Sequence, residues 1–329
     1  MIIGNIEVQQ HQLSYDKIIK NTLEQSDEMT IRFINGLFGD NIPLDAPVEW
    51  LDKETVSDKH TAIVADFYPR IAGRMYAIEV EQDGSGDMAV RVFKYTVGGA
   101  MLHSMTTTKA ELNITFPQPC VIFLSSTKNT PQKLTWNIDF FDGQKVTLQV
   151  PTIRLADLSI REIAERDLLP IGQFYLRTFE PLNESKAKEF CEAAASLLTE
   201  LKNAAERGIV PYHISMQMQD TIRMTVENAI IKSKQEVGYK MTTNITETLP
   251  WIDYREVFSK LEERGKAEGK AEGKAEGRAE GKLEVAIKML ARQAKGESTD
   301  TIINLLRDLD ISDDIIEIAR KQYDDTHTA

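Results

Sequence analysis

Asp66 and the pair Glu79-Val80-Glu81 are the residues of this sequence whose types and spacing could do chemistry. Each acid sits in an apolar stretch, Asp66 in Thr61–Phe67 (TAIVADF) and the two glutamates in Met75–Glu81 (MYAIEVE). Side chains alternate along a strand with a period of two, so Glu79 and Glu81 point to one face. Pairing of the two stretches as a hairpin would bring Asp66 to the same place. Like charges crowded into an apolar sheet repel one another unless a cation relieves them, and a divalent metal on carboxylate oxygens is the usual solution. A carboxylate-held Mg²⁺ or Mn²⁺ can polarise a phosphoryl oxygen and lower the pKa of a bound water, which is what phosphodiester hydrolysis requires.

Other candidates carry less. The histidines (His11, His60, His103, His213 and His327) show no ligand spacing. Asp16 and Lys20 lie on a first helix, where surface charges need no special role, and Glu54 and Asp58 upstream of Asp66 could add metal ligands but read more simply as solvated loop acids. The sequence holds no Walker or dinucleotide glycine motif. Cys120 and Cys191 are far apart in apolar surroundings and read as buried thiols of a reducing compartment.

The elements that must position the acids follow from periodicity and punctuation. Ser14–Leu23 and Ser26–Phe38 read as helices. In the second, Ser26 is an N-cap, and Thr30, Phe33, Ile34, Leu37 and Phe38 form the core-facing stripe. The strands Thr61–Phe67 and Met75–Glu81 follow, with Pro69 and Gly73 flanking the turn. Asp87–Met105 reads as a helix weakened by Gly98-Gly99. Cys120–Ser125 is a wholly apolar strand, and Leu134–Phe141 with Lys145–Val150 make a second hairpin around Asp142-Gly143. The order ααββαβββ predicts an α/β fold with one mixed sheet flanked by helices.

After Pro151 the texture becomes helical. Ser159 and Glu162 form a capping box, and Asn183 caps a helix striped with Ala187, Phe190, Cys191, Ala194, Leu198 and Leu201. A further helix runs from about Tyr212 to Glu236. Gly265–Lys282 is a tandem repeat, GKAEGKAEGKAEGRAEGK, in which a four-residue period stacks Lys over Lys and Glu over Glu. It reads as a solvated spacer, helical only where a flanking helix templates it. Two short helices close the chain, Thr299–Leu309 and Asp313–Tyr323, capped by Ser298 and Ser312. They have a helix-turn-helix outline, but Asp313, Asp314 and Glu317 give the second the wrong charge to read a DNA groove, so docking or self-association is the expected role. The domain reading is 1–158 for the acid-bearing core, 159–260 helical, 261–283 the charged linker and 284–329 the terminal helical pair.

Of 329 residues, 42% are hydrophobic, enough for a substantial core, and the net charge is −12. No apolar run is long enough for a membrane span and the N-terminus lacks a signal-peptide pattern, so a cytoplasmic protein is expected. The acidic balance excludes DNA binding through a global basic field. Any DNA contact must come from a local basic patch or from bound metal.

Asp66 with Glu79-x-Glu81 resembles the D…ExK signature of the restriction-endonuclease-like fold. Tyr15-Asp16…Lys20, Phe33-Ile34-Asn35-Gly36-Leu37-Phe38-Gly39, Asp66-Phe67, Ile78-Glu79-Val80-Glu81 and Arg91…Tyr95 occur in the order of the PD-(D/E)XK nuclease family transposases, the Rpn-type recombination-promoting nucleases. The charged GKAEG tail is similar as well, and the likeness covers roughly the first 160 residues plus that tail. Two positions depart: Ala65 stands where the family has proline, and Glu81 where it has Gln or Lys. The resemblance implies a restriction-endonuclease-like mixed sheet followed by a helical C-terminal region. It also implies a Mg²⁺- or Mn²⁺-dependent DNA endonuclease linked to recombination or mobile elements. Asp66 and Glu79 would hold the metal, Glu81 would serve as a further ligand or water-positioning base, and Lys94 or Arg91 would supply the cation from the next helix. The other expectation, favoured by the acidic balance and by Glu81, is a non-catalytic interaction protein on a decayed nuclease scaffold. Self-assembly through the C-terminal helices is compatible with either.

Overall fold

The computed structural model describes residues 15–51, 66–82, 87–236, 249–290 and 298–327. The chain divides into two compact units, Met1–Val257 and Phe258–Ala329.

The first unit opens with helices α1 (Tyr15–Leu23) and α2 (Asp27–Phe38). The Ser26 hydroxyl accepts the Met29 N–H at 3.2 Å, and Asp27 and Glu28 occupy the first turn of α2, where the helix dipole favours acids. Gly39, at φ 71, ends α2 by donating its N–H to the Asn35 carbonyl. Thr30, Phe33, Ile34 and Leu37 of the expected stripe are buried. Next come strands β1 (Val48–Trp50), β2 (Pro69–Ile71) and β3 (Arg74–Glu81), helix α3 (Met88–His103), a small hairpin of β4 (Met105–Thr107) and β5 (Leu112–Ile114), and strand β6 (Gln118–Phe123). A larger hairpin, β7 (Leu134–Asp139) and β8 (Lys145–Val150), and the short strand β9 (Thr152–Arg154) complete the strands.

Five of these strands form a mixed sheet in the order β1-β2-β3-β6-β9. β1, β2 and β3 are antiparallel neighbours, and β3-β6 and β6-β9 are parallel. The parallel crossover from β3 to β6 runs through α3, and β6 buries Cys120–Phe123 completely, as a strand covered on both faces must. The turn from β2 to β3 uses two residues of positive φ, Ala72 (48°) and Gly73 (78°), the backbone a two-residue hairpin requires. Pro69, expected to flank that turn, begins β2, a strand position that tolerates its missing N–H. Of the expected strand Thr61–Phe67, residues 61–65 lie outside the described residues. Phe67 is bridged to Ile78 by two backbone hydrogen bonds of 3.0 and 3.1 Å.

The expectation of one sheet is corrected: β7 and β8 pair only with each other among the described residues, as a separate two-stranded sheet. Their alternation specified strands, but the apolar side had a different partner. Leu134, Trp136 and Val150 pack with Met88 and Val92 of α3 and with Val121 and Phe123 of β6, and Trp136 Nε1 donates to the Ala89 carbonyl at 2.9 Å. The glycines expected to weaken α3 lie inside an unbroken helix. Gly99 is there because Tyr68 crosses it so closely that a Cβ would stand 2.1 Å from the phenol oxygen.

Beyond β9 the described residues hold helices and no strand: α4 (Ile160–Glu165), α5 (Leu169–Gly172), α6 (Glu184–Glu206) and α7 (Tyr212–Glu236) come first. Ser159 and Glu162 form the reciprocal capping box, and Asn183 accepts the Lys186 N–H at 3.2 Å. Phe190, Ala194, Leu198 and Leu201 of α6 and Ile214, Met218, Ile222 and Val226 of α7 are buried. Cys120 is buried as expected, but Cys191 is only half-buried, because it lies at the margin of the α6 stripe.

Helix α8 (Tyr254–Leu290) runs through the whole GKAE repeat, so the repeat takes the helical form expected of it where a flanking helix templates it. Ala, Lys and Glu are good helix formers, and the ends are templated by Leu261-Glu262-Glu263 before the repeat and by Leu283–Leu290 after it. Ala286 and Leu290 of α8 join Ile302 and Leu306 of α9 (Thr299–Asp308) and Ile316 and Ala319 of α10 (Asp313–His327) in a small core. Ser298 precedes α9, but its side chain makes no capping bond. Among the described residues no helix is long and apolar enough to cross a membrane.

Candidate active site

The bridge between Phe67 and Ile78 keeps the register of β2 and β3, in which Arg70 lies opposite Met75 and Ile71 opposite Arg74. Carried one residue further, that register sets Asp66 across from Glu79. Directly opposed residues share a face, so the two carboxylates are cross-strand neighbours. The Asp66 side chain also joins the backbone ladder: its Oδ2 accepts the Val80 N–H at 3.0 Å. Glu79 and Glu81 project from β3 with the period of a strand, toward α3. There Arg91, one turn into the helix, donates Nη2 to Glu79 Oε1 at 2.7 Å and Nη1 to Glu81 Oε1. Tyr95, one helical turn beyond, holds the guanidinium from behind, with Arg91 Nε 3.4 Å from its hydroxyl.

Burial makes this arrangement unusual. Glu79 is 4% exposed, and its Oε2 is buried without a hydrogen-bond partner among the described residues. Its pKa is pushed up to about 8, first by burial and then by the Asp66 carboxylate; the Arg91 guanidinium and the Asp66 backbone amide act in the opposite sense. Burial works against the Arg91 charge, but the Tyr95 hydroxyl and the Glu81 carboxylate outweigh it, so Arg91 holds its proton more firmly than usual. Among the described residues one partly exposed cation thus stands against two glutamates, and one glutamate oxygen has no hydrogen-bond partner.

That orphaned oxygen, next to a second carboxylate, is the observation against which a metal can be tested. Oxygen donors of this kind suit Mg²⁺ or Mn²⁺, and Mg²⁺ is commonly held by one or two carboxylates with water and substrate phosphate completing its shell. Asp66 and Glu79 fit such a two-carboxylate site. A self-sufficient cage of three or more His, Cys, Asp or Glu does not occur among the described residues. Glu81 is turned to Arg91, which supplies its counter-charge.

The expected residues therefore separate. Asp66, just before the Phe67 bridge, comes beside Glu79 of β3, and Glu81 lies two residues further along the same strand. Lys94, the other candidate cation of α3, is exposed and makes no ion pair among the described residues; Arg91, three residues earlier, is the one that reaches the glutamates. Lys20 pairs with Glu24 on its own helix at 3.2 Å, the ordinary fate of a helix-surface lysine. Glu54 and Asp58 lie outside the described residues. His213 is exposed, and His103 packs its ring 5.4 Å from that of Tyr68. Sequence reasoning passed over two participants, the Val80 amide and Tyr95 as the brace of Arg91. The i, i+4 spacing of Arg91 and Tyr95 was the available signal for the second.

No family model, curated protein or solved structure matches this chain.

Proposed function

We propose that this chain is a divalent-metal-dependent DNA endonuclease of restriction-endonuclease-like fold, with Asp66 and Glu79 as its metal-holding pair. The observation that carries the reading is the register-fixed opposition of Asp66 and Glu79 around a buried, unpartnered glutamate oxygen. The antiparallel β1-β2-β3 meander followed by a helical crossover to parallel β6 supports the fold assignment. Bound Mg²⁺ would supply polarisation of a phosphoryl oxygen and a more acidic water. Asp66 and Glu79 present the oxygens that hold it. Arg91 orients Glu81 and offsets its charge, the part a lysine in the third motif position would otherwise take, and Glu81 remains placed to position a water or take its proton. The link to recombination or mobile elements rests on the family resemblance.

Plasmid cleavage with Mg²⁺ or Mn²⁺ at low salt is the test. Wild type should nick or linearise the plasmid, and Asp66→Asn and Glu79→Gln should lose that activity. Equal behaviour of all three would end the reading. The second reading, a scaffold that has lost catalysis, is favoured by one observation: Arg91 already occupies an oxygen of each glutamate. Thermal melting with millimolar Mn²⁺ separates the two. A metal site should raise the melting temperature of wild type but not of Glu79→Gln, and no shift in either supports the inactive scaffold.

A further inference from the structure

The acidic chain needs a local basic surface if it is to hold a polyanion, and the parallel end of the sheet provides one. Glu81 lies in register with Phe123 of β6, and Phe123 in register with Arg154 of β9. Glu81 and Arg154 thus occupy one row, two strands or about 10 Å apart, at the carboxyl ends of parallel strands, where open α/β sheets place their ligands. Arg154 borders a cleft of about 220 Å³ shared with Gln132, Thr152, Asp157 and Arg166. Its side chain is 18% exposed, and its partners, Ser126 Oγ at 3.4 Å and Asp157 Oδ2 at 3.2 Å, both sit at Nε, so among the described residues its terminal fork has none. Arg166 is anchored to the Gly36 carbonyl through Nη2 at 2.9 Å and Nε at 3.3 Å, which fixes its charge beside the cleft. The segment from Leu112 to Ile138, which contributes Gln132 and Ser126, carries Lys128 and Lys133 and no acid. Against −12 for the whole chain, Arg154 and Arg166 outnumber the single acid lining the cleft, Asp157, two strands from Glu81.

We infer that this cleft is a phosphate subsite, in which Arg154 grips the backbone of the DNA strand whose reacting group lies at Asp66 and Glu79. A guanidinium fork presents paired donors to phosphate oxygens, and the exposed Asp157 carboxylate is the counter-charge the phosphate replaces. The inference rests on the nuclease reading for its substrate but not for its test. A fluorescently labelled short DNA duplex, titrated with the full-length protein in EDTA over a series of salt concentrations, reports binding without catalysis. Arg154→Ala should weaken binding several-fold on every sequence and reduce the slope of log affinity against log salt by about one. Asp157→Asn should tighten it, and Arg154→Lys should retain part of the affinity. Affinity and slope unchanged in both Arg154→Ala and Asp157→Asn would overturn the subsite, as would failure of wild type to bind at low salt. Arg154-dependent binding by a protein that never cleaves would keep the subsite and sink the nuclease reading. Cleavage by a protein whose binding ignores Arg154 would do the reverse.

Discussion

Two regions of this molecule stack like charges, and they resolve the conflict in opposite ways. In β3, Glu79 and Glu81 stand on one face beside Asp66, where Glu79 is nearly sealed from water. In α8, the four-residue period of the GKAE repeat brings like charges round at i,i+4 in sequence, along a helix whose described side chains are exposed from Gly265 to Gly281. Water screens the helix, and each repulsion there costs only a few tenths of a kcal/mol. The strand has no such screen, so it recruits Arg91 and leaves Glu79 with a pKa near 8. The same pattern of acids is therefore inert in one place and a source of chemical potential in the other, and exposure decides which.

Removing the relief should hurt only the buried site. Arg91→Ala leaves two glutamates without their cation and should destabilise the fold by about 2–3 kcal/mol, a buried-pair cost discounted for the part-exposed arginine. Urea unfolding at pH 8 reads the loss, and a loss no larger than that of Lys270→Ala would abolish the contrast. Removing the buried charge itself should act through pH. Because the folded-state pKa of Glu79 is about 8 against 4.5 for an ordinary glutamate, the folded protein holds more protons than the unfolded between those values, and stability falls as pH rises through that window. Glu79→Gln should flatten that fall and, above pH 8, melt higher than wild type. A mutant that keeps the wild-type pH profile would show that Glu79 is not the group responsible.

The helix offers smaller effects of a different kind. At Gly273 an added Cβ would meet nothing within 4 Å, so Gly273→Ala should raise helicity by circular dichroism and stabilise α8 by about 0.5–1 kcal/mol. Lys270→Glu would place opposite charges at i,i+4 with both Lys266 and Lys274, for a gain of about 0.2–0.5 kcal/mol per pair that salt erases. A gain that survives high salt would mean the repeat is not limited by screened charge.

Legibility in the sequence followed the same division between local and non-local causes. The 3.6-residue stripes and caps of α2 and α6, and the alternation of β3, are local signals, and the elements formed where those signals pointed. The grouping of three acids was legible too, since period two alone puts Glu79 and Glu81 on one face. What periodicity does not encode is the partner. It gave β7 and β8 as strands but not that Trp136 would lie on α3 instead of in the main sheet. It showed cations at Arg91 and Lys94 but not which one turns inward, because that depends on where the first turn of α3 meets β3. The helical repeat meets the one condition set for it, a flanking helix to template it, and that condition is cooperative, so weighing each glycine and each repulsion singly does not reveal whether it is met.

The two-residue turn at Ala72-Gly73 has a consequence for how such a site is inherited. Since the register it sets is what brings Asp66 opposite Glu79, a single codon gained or lost there would carry Asp66 to the other face of the sheet. All three acids would still be written in the gene, in the same order and within one residue of the same spacing, and the centre would be gone. A lineage can therefore lose this site without mutating any residue in it, and the length of the hairpin records its integrity as faithfully as the acids do.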